Sequence, residues 1–231
     1  MSRSKHTDPR SIRAARRFRA PFETRSAGDL SLRRKLGQKL KELSVTVLSS
    51  GKGGKPPRSV PRILRREPSP GFHHPIEKRH ILELLKSIGP LVTYGLRSIE
   101  LTHVPALGRA HSVVFGRYEA PGRILLFEQP PPPWRLPGLL AKENAKRFEG
   151  TVAVVSRMPH LGATLVDWPA DTFRRFMLEE VLLHELGHHV LQHHKAKRLA
   201  RIARTKDHEA FAALFAARQQ MTLAKRNSSA R

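Results

Sequence analysis

Apolar and polar positions divide the chain into a patterned region and a long unpatterned front. From residue 75 onward the apolar residues recur with clear periods. Ile76, His80, Ile81, Leu84, Leu85 and Ile88 fall on one side of a helix over about 75–88, with Pro75 at its first position and Gly89-Pro90 ending it. Three strand-like runs follow. Arg97 to Val104 alternates around Ile99, Leu101 and His103, Ser112 to Tyr118 contains Val113, Val114 and Phe115, and Arg123 to Glu128 contains Ile124, Leu125, Leu126 and Phe127. The Glu119-Ala120-Pro121-Gly122 stretch predicts a tight turn that makes the last two a hairpin, and Pro130 to Pro133 with Trp134 stops the third strand. A weaker strand pair is expected at 151–156 and 163–167.

The period then returns to that of a helix. Asp171 is a plausible N-cap for a long helix with Phe173, Phe176, Met177, Val181, Leu182 and Val190 on its apolar surface. A last helix is expected from about Asp207 to Met221, where Phe211, Ala212, Leu214, Phe215 and Ala216 form a dense apolar face, with a frayed end after Lys225. These elements predict an α+β fold: a small, mostly antiparallel sheet packed on the long helix and on the helix after it.

The front of the chain reads differently. Residues 1–27 hold little apolar surface and many arginines, which predicts a disordered basic arm; a transit peptide is the alternative of low weight. Leu32, Leu36, Leu40 and Leu43 recur at helical spacing among basic residues and predict a short amphipathic helix at about 30–44, weakened by Gly37. Ser49 to Gly71 is rich in Gly and Pro and reads as a linker; its Gly/Lys piece lacks the spacing of a phosphate-binding loop. The expected organisation is therefore a basic arm and linker over 1–73, a folded domain over 74–222 and a basic tail over 223–231.

Composition sharpens this picture in three respects. The formal charge is +24, and residues 1–80 hold 21 Lys/Arg against 6 Asp/Glu, a net of +15. Such a chain binds polyanions non-specifically at low salt, so nucleic acid is an expected non-specific partner of the basic arm. With no cysteine there is no disulfide framework, no thiolate nucleophile and no Cys-ligated zinc. No apolar run is long enough to cross a bilayer, and the first twenty residues lack the apolar core of a secretory signal, so a cytoplasmic protein is the default expectation.

The chemistry concentrates in Leu182-Leu183-His184-Glu185-Leu186-Gly187-His188-His189, which contains H-E-x-x-H. Two residues four apart on a helix differ by about 40° of rotation and roughly 6 Å of rise, so both imidazoles face one side and can hold one metal ion. Glu185 is placed to take a proton from a water activated by that ion. By itself the motif is a weak signal in a chain with 13 histidines. Apolar flanks (Val181, Leu182, Leu183) and Gly187, which admits a close neighbour, strengthen it.

A catalytic zinc takes three protein ligands and keeps an open position. His194 stands six residues after His188, but Leu191 occupies the place where a glycine would break the helix, and on an unbroken helix His194 points away. Glu209 is the stronger third ligand. It opens Glu209-Ala210-Phe211-Ala212-Ala213-Leu214-Phe215-Ala216, an E-x-x-A-x-x-F-A pattern whose small residues favour close helix packing.

H-E-L-G-H followed by E-x-x-A-x-x-F-A resembles the gluzincin zinc metallopeptidases, and among them the ImmA/IrrE-type and minimal gluzincin peptidases; the catalytic core of the CAAX-prenyl proteases has similar motifs. The resemblance spans roughly residues 75–222. It implies a zinc metalloendopeptidase with His184, His188 and Glu209 as metal ligands, Glu185 as general base, Zn2+ as cofactor and a protein or peptide as substrate. It also implies three strands ahead of the motif helix. The chain departs from the family pattern at Ala213, where an acidic residue or Asn is usual. It also lacks Gly or Pro between His188 and Glu209. A helix running on to Arg204 would carry the chain about 24 Å past His188, so Glu209 can serve only if the motif helix breaks near His193 to Lys197.

Other expectations are less specific. Tyr94, Tyr118, His103 and His111 are candidate oxyanion donors with none assigned, and the strand at 123–128 is a candidate edge for an extended substrate. His189, His193, His194 and His208 are read as non-ligands. The competing function is a basic nucleic-acid-associated binding protein on a peptidase-like scaffold.

Overall fold

A computed structural model describes residues 34, 38, 60–105, 114–137, 148, 153–169, 171–194 and 206–229. Arg34 and Gln38 are helical and exposed; the rest of the expected arm and of the 30–44 helix lies outside the described residues, as does His111.

The fold is α+β. Strand β1 (Arg62–Arg65) is followed by helix α1 (Lys78–Ile88), a short helix α2 (Pro90–Thr93), β2 (Ser98–Thr102), β3 (Gly116–Glu119), β4 (Arg123–Phe127), β5 (Trp134–Pro137), β6 (Val154–Met158) and β7 (Ala163–Asp167). Next come α3 (Thr172–Arg175), a π-helical segment (Phe176–Leu182), the motif helix α4 (Leu183–His194) and α5 (Lys206–Ser229). Strands β1-β2-β4-β3 form one sheet and β5-β7-β6 another.

The expected hairpin is present: β3 and β4 pair antiparallel, Tyr118 opposite Ile124. So is the weaker pair, with β6 antiparallel to β7. Three expectations are corrected. The linker reading of 49–71 fails at Arg62–Arg65, which pairs in parallel with β2, so the fold begins ahead of residue 74. Its residues are mostly exposed, with only Ile63 packed against the core, so the strand carries no alternating pattern. The four-stranded sheet is also not mostly antiparallel, because β1–β2 and β2–β4 are both parallel. Parallel neighbours need a crossover, which α1 provides between β1 and β2. Finally, Arg123–Phe127 is interior, between β2 and β3, so the edge on that side is β3.

The helices shift in smaller ways. α1 starts at Lys78 with Glu77 as N-cap, not at Pro75, and the Glu77 backbone N–H donates to His80 Nδ1 at 3.1 Å, which fixes the first turn. Asp171 is the N-cap of α3, but its carboxylate pairs with Arg174 at 2.5 Å rather than capping the backbone. α5 continues through Ser229 where a frayed tail is expected; Leu223 packs against the core and the Arg226 guanidinium donates to the Ser87 carbonyl at the end of α1.

The core lies between the helices and one face of the four-stranded sheet. Ile76, Ile81, Ile99, Ile124, Leu126, Met177, Leu182, Leu183, Leu186 and Phe215 are all fully buried there. Toward the second sheet it becomes aromatic: Phe115 meets Phe176 at 4.8 Å between ring centres, Trp134 meets Phe173 at 5.0 Å and Trp168 meets Phe176 at 4.9 Å. This cluster fixes the base of the motif helix against both sheets.

Candidate metal centre

The motif helix is buried along nearly its whole length. Val190, Leu186 and Leu183 face the core, and Gly187 faces α5. A Cβ built on Gly187 would lie 2.7 Å from Ala212 Cα and 3.0 Å from the Ala212 carbonyl oxygen. Only hydrogen leaves room for that approach, and Ala212 on the other helix is the smallest side chain that keeps helix propensity. The two helices therefore pack backbone to backbone one turn from Glu209.

That approach brings three side chains together. His184 Nε2 lies 3.2 Å from Glu209 Oε2, and His188 Nε2 lies 3.5 Å from Glu209 Oε1. The two imidazoles stand edge to face, 4.8 Å between centres. One donor atom from each of the three residues falls within 4.8 Å of the others. α5 sets Glu209 beside His184 and His188; the motif helix is still helical at His193 and His194, and residues 195–205, which hold the rest of the expected break, lie outside those described.

Electrostatics favour an ionised carboxylate here. Burial pushes the Glu209 carboxyl up, but the hydrogen bond to His184 and the closeness of His188 outweigh it and hold the group well below the usual carboxylate range. His188 is 5 % exposed, and its Nε2 is buried with no hydrogen-bond partner among the described residues. An imidazole nitrogen left so, facing a carboxylate oxygen just beyond bonding distance, suits a cation placed between them. Donors about 2.1 Å from a tetrahedral zinc are separated by about 3.4 Å, close to both His–Glu distances. Two imidazoles and a carboxylate also suit other first-row divalent metals.

Glu185 is 5 % exposed and reaches the edge strand. Its Oε2 accepts the Tyr118 backbone N–H of β3 at 2.6 Å. In the β3–β4 ladder the Phe127 N–H donates to the Phe115 carbonyl; alternation from there turns the Gly116 and Tyr118 peptide groups away from β4. The outward edge of β3 therefore runs beside the motif helix.

The remaining expected histidines and tyrosines take separate places. His189 Nε2 lies 3.0 Å from the Tyr94 carbonyl, which can only accept, so this ring donates there and ties α4 to the turn after α2. His103 Nε2 lies 2.7 Å from the Glu67 carbonyl. Burial pushes the Tyr118 hydroxyl up to about 12, partly offset by the Gly122 backbone. His208 precedes Glu209 on α5; the side chains of His193 and His194 lie outside those described.

Two contacts had no signal in the residue types alone. The Tyr118–Glu185 bond uses a backbone N–H, which any residue but proline could supply. Gln220, whose side-chain amide donates to Glu179 O and Glu180 Oε1, stands eleven residues after Glu209, near a whole number of helical turns; that spacing was its only sequence trace.

No family model, curated protein or solved structure matches the chain.

Proposed function

We propose that the chain is a zinc-dependent metallopeptidase of the gluzincin type that hydrolyses peptide bonds of a protein substrate. The observation that carries this reading is the convergence of His184, His188 and Glu209, with the buried Nε2 of His188 lacking a hydrogen-bond partner among the described residues. His184 and His188 would hold the metal through Nε2 and Glu209 through its carboxylate. When bound, zinc supplies a Lewis acid that brings a water's pKa to around 7 and polarises the scissile carbonyl. Glu185 then acts as general base and acid, accepting that water's proton on a carboxylate oxygen and delivering it to the leaving amine. The outward edge of β3 offers peptide groups against which an extended substrate could align beside Glu185.

The test is metal content of the full-length protein after zinc reconstitution and dialysis. About one zinc per chain is expected, falling to near zero in His184→Ala and Glu209→Gln. A wild-type protein that retains no zinc sinks the proposal.

A second reading rests on the net charge of +15 in residues 1–80: a nucleic-acid-associated protein on the same scaffold. Salt-sensitive DNA binding that persists in His184→Ala and Glu209→Gln, by a protein holding no zinc, would favour it.

A further inference from the structure

The π-helical segment Phe176–Leu182 runs directly into the motif helix. At the junction the Leu183 N–H reaches the carbonyls of Leu178 and Glu180. In an α-helix it would bond Glu179 O, four residues back; here that carbonyl is passed over. The side-chain amide of Gln220 on α5 comes to it instead, with Nε2 2.8 Å from Glu179 O and 2.7 Å from Glu180 Oε1. An amide nitrogen has two N–H donors, and both are used on this one segment.

The arrangement matters for the histidines because of helical phase. A segment with i to i+5 bonds accommodates an extra residue relative to α-helix, and reverting it would turn everything downstream by about one residue's rotation, roughly 100°. His184 begins one residue after the junction. A turn of that size would carry His184 and His188 away from Glu209. Gln220 is also on the same helix as Glu209, about 16 Å further along and on nearly the same side. Between them Ala212 sits against Gly187. The same side chain thus ties the phase of α4 to the register of α5.

We propose that Gln220 is a positioning residue for the His184–His188–Glu209 centre, acting by clamping the π-helical segment through Glu179 O and Glu180. The inference rests on the metal reading given above, since what it positions is a ligand set.

The experiment uses the full-length chain loaded with zinc or cobalt. Zinc affinity is measured by competition with a chelator, and ligand geometry by the visible absorption of the cobalt form. Loss of a group that orients metal ligands typically costs 10–100-fold in metal affinity. Gln220→Leu is expected to lose affinity by about that factor and to alter the cobalt spectrum. Gln220→Glu, nearly isosteric, keeps the shape but removes the donor and sets a carboxylate beside Glu180, so it is expected to show the same loss; it also serves if the leucine variant does not fold. Gln220→Lys restores a donor to both acceptors and is expected to stay within about threefold of wild type, since Leu and Glu lose what Lys retains. Leu and Glu variants that match the wild type in affinity and spectrum overturn the positioning role and leave the metal reading intact. A wild type that binds neither zinc nor cobalt overturns both.

Discussion

Gly187 and Ala212 meet where the motif helix crosses α5, so closely that a single added methyl at Gly187 would sit 2.7 Å from Ala212 Cα. Glu209 lies one turn from that contact and reaches both imidazoles across it. Gly187→Ala should force the helices apart by a few tenths of an ångström or more. Overpacking of this kind costs about 1–3 kcal/mol, read by urea unfolding of the metal-free protein. Zinc affinity should fall as well, because Glu209 moves with α5. A variant as stable as wild type and equally tight for zinc would show that the close approach is not what brings Glu209 in.

Glu185→Gln separates binding from chemistry. The side chain keeps an oxygen for the Tyr118 N–H, so the fold and the zinc content should be unchanged. If Glu185 is the base as proposed, peptide hydrolysis should drop by about 10²–10⁴-fold. The comparison is between zinc content and cleavage of an unfolded protein such as casein, in the same preparation. Retained hydrolysis would remove Glu185 from the role of base.

Glu128 gives the fold a dependence on pH. It is fully buried, and the Ser69 backbone N–H and hydroxyl donate to its two oxygens at 2.7 and 2.8 Å. Burial pushes its carboxyl up, but the two Ser69 bonds, the charge of His103 and the Val104 backbone outweigh it, leaving the folded value below the ordinary one. A depressed folded value means that the stabilisation is fully present above the unfolded value near 4 and is lost as the pH falls through the folded value. Glu128→Gln should be less stable by about 1–3 kcal/mol at neutral pH, and the difference from wild type should shrink in acid below about pH 4. Urea midpoints of both proteins across that range check it; parallel curves would contradict the assignment.

Trp134 packs against Phe115 and meets Trp168 and Phe173 edge to face, and its indole N–H donates to the Pro130 carbonyl at 2.8 Å. Trp134→Ala should cost about 3–5 kcal/mol and leave the second sheet poorly anchored. Thermal unfolding followed by the fluorescence of Trp168 would report it, and a shift of only a degree or two would mean that the cluster repacks.

Much of this architecture can be read from residue pattern, and the exceptions have physical causes. The hairpin was legible because its strands are apolar and its turn is marked by Pro121-Gly122. The pairing of His184 and His188 was legible because helical spacing puts both on one side; Glu209 was legible only as part of E-x-x-A-x-x-F-A, since no Gly or Pro after His188 marks the break that its return requires. β1 and β5 were not. Arg62–Arg65 lies on an exposed edge and so alternates with nothing, and Trp134–Pro137 follows a run of four prolines that reads as an end rather than a beginning. The π-helical segment was invisible for a different reason. Its apolar residues fit an α-helical period well enough, and the displaced bond at Leu183 answers to a glutamine on another helix. The length of α5 is set likewise by partners far along the chain, Ser87 and the carbonyl of Glu179.

The placement of β1 bears on how the protein is handled. A chain cut at residue 74, where the Gly/Pro-rich stretch ends, would lose Arg62–Arg65 and uncover the peptide groups of Ser98–Thr102 along a strand carrying Ile99 and Leu101. Unsatisfied, flat and apolar, such a border recruits other copies. It would also strip Ser69 from Glu128. Trimmed preparations should therefore precipitate or form fibrils, whereas those starting before Val60 should stay dispersed, and cloning boundaries belong ahead of that residue.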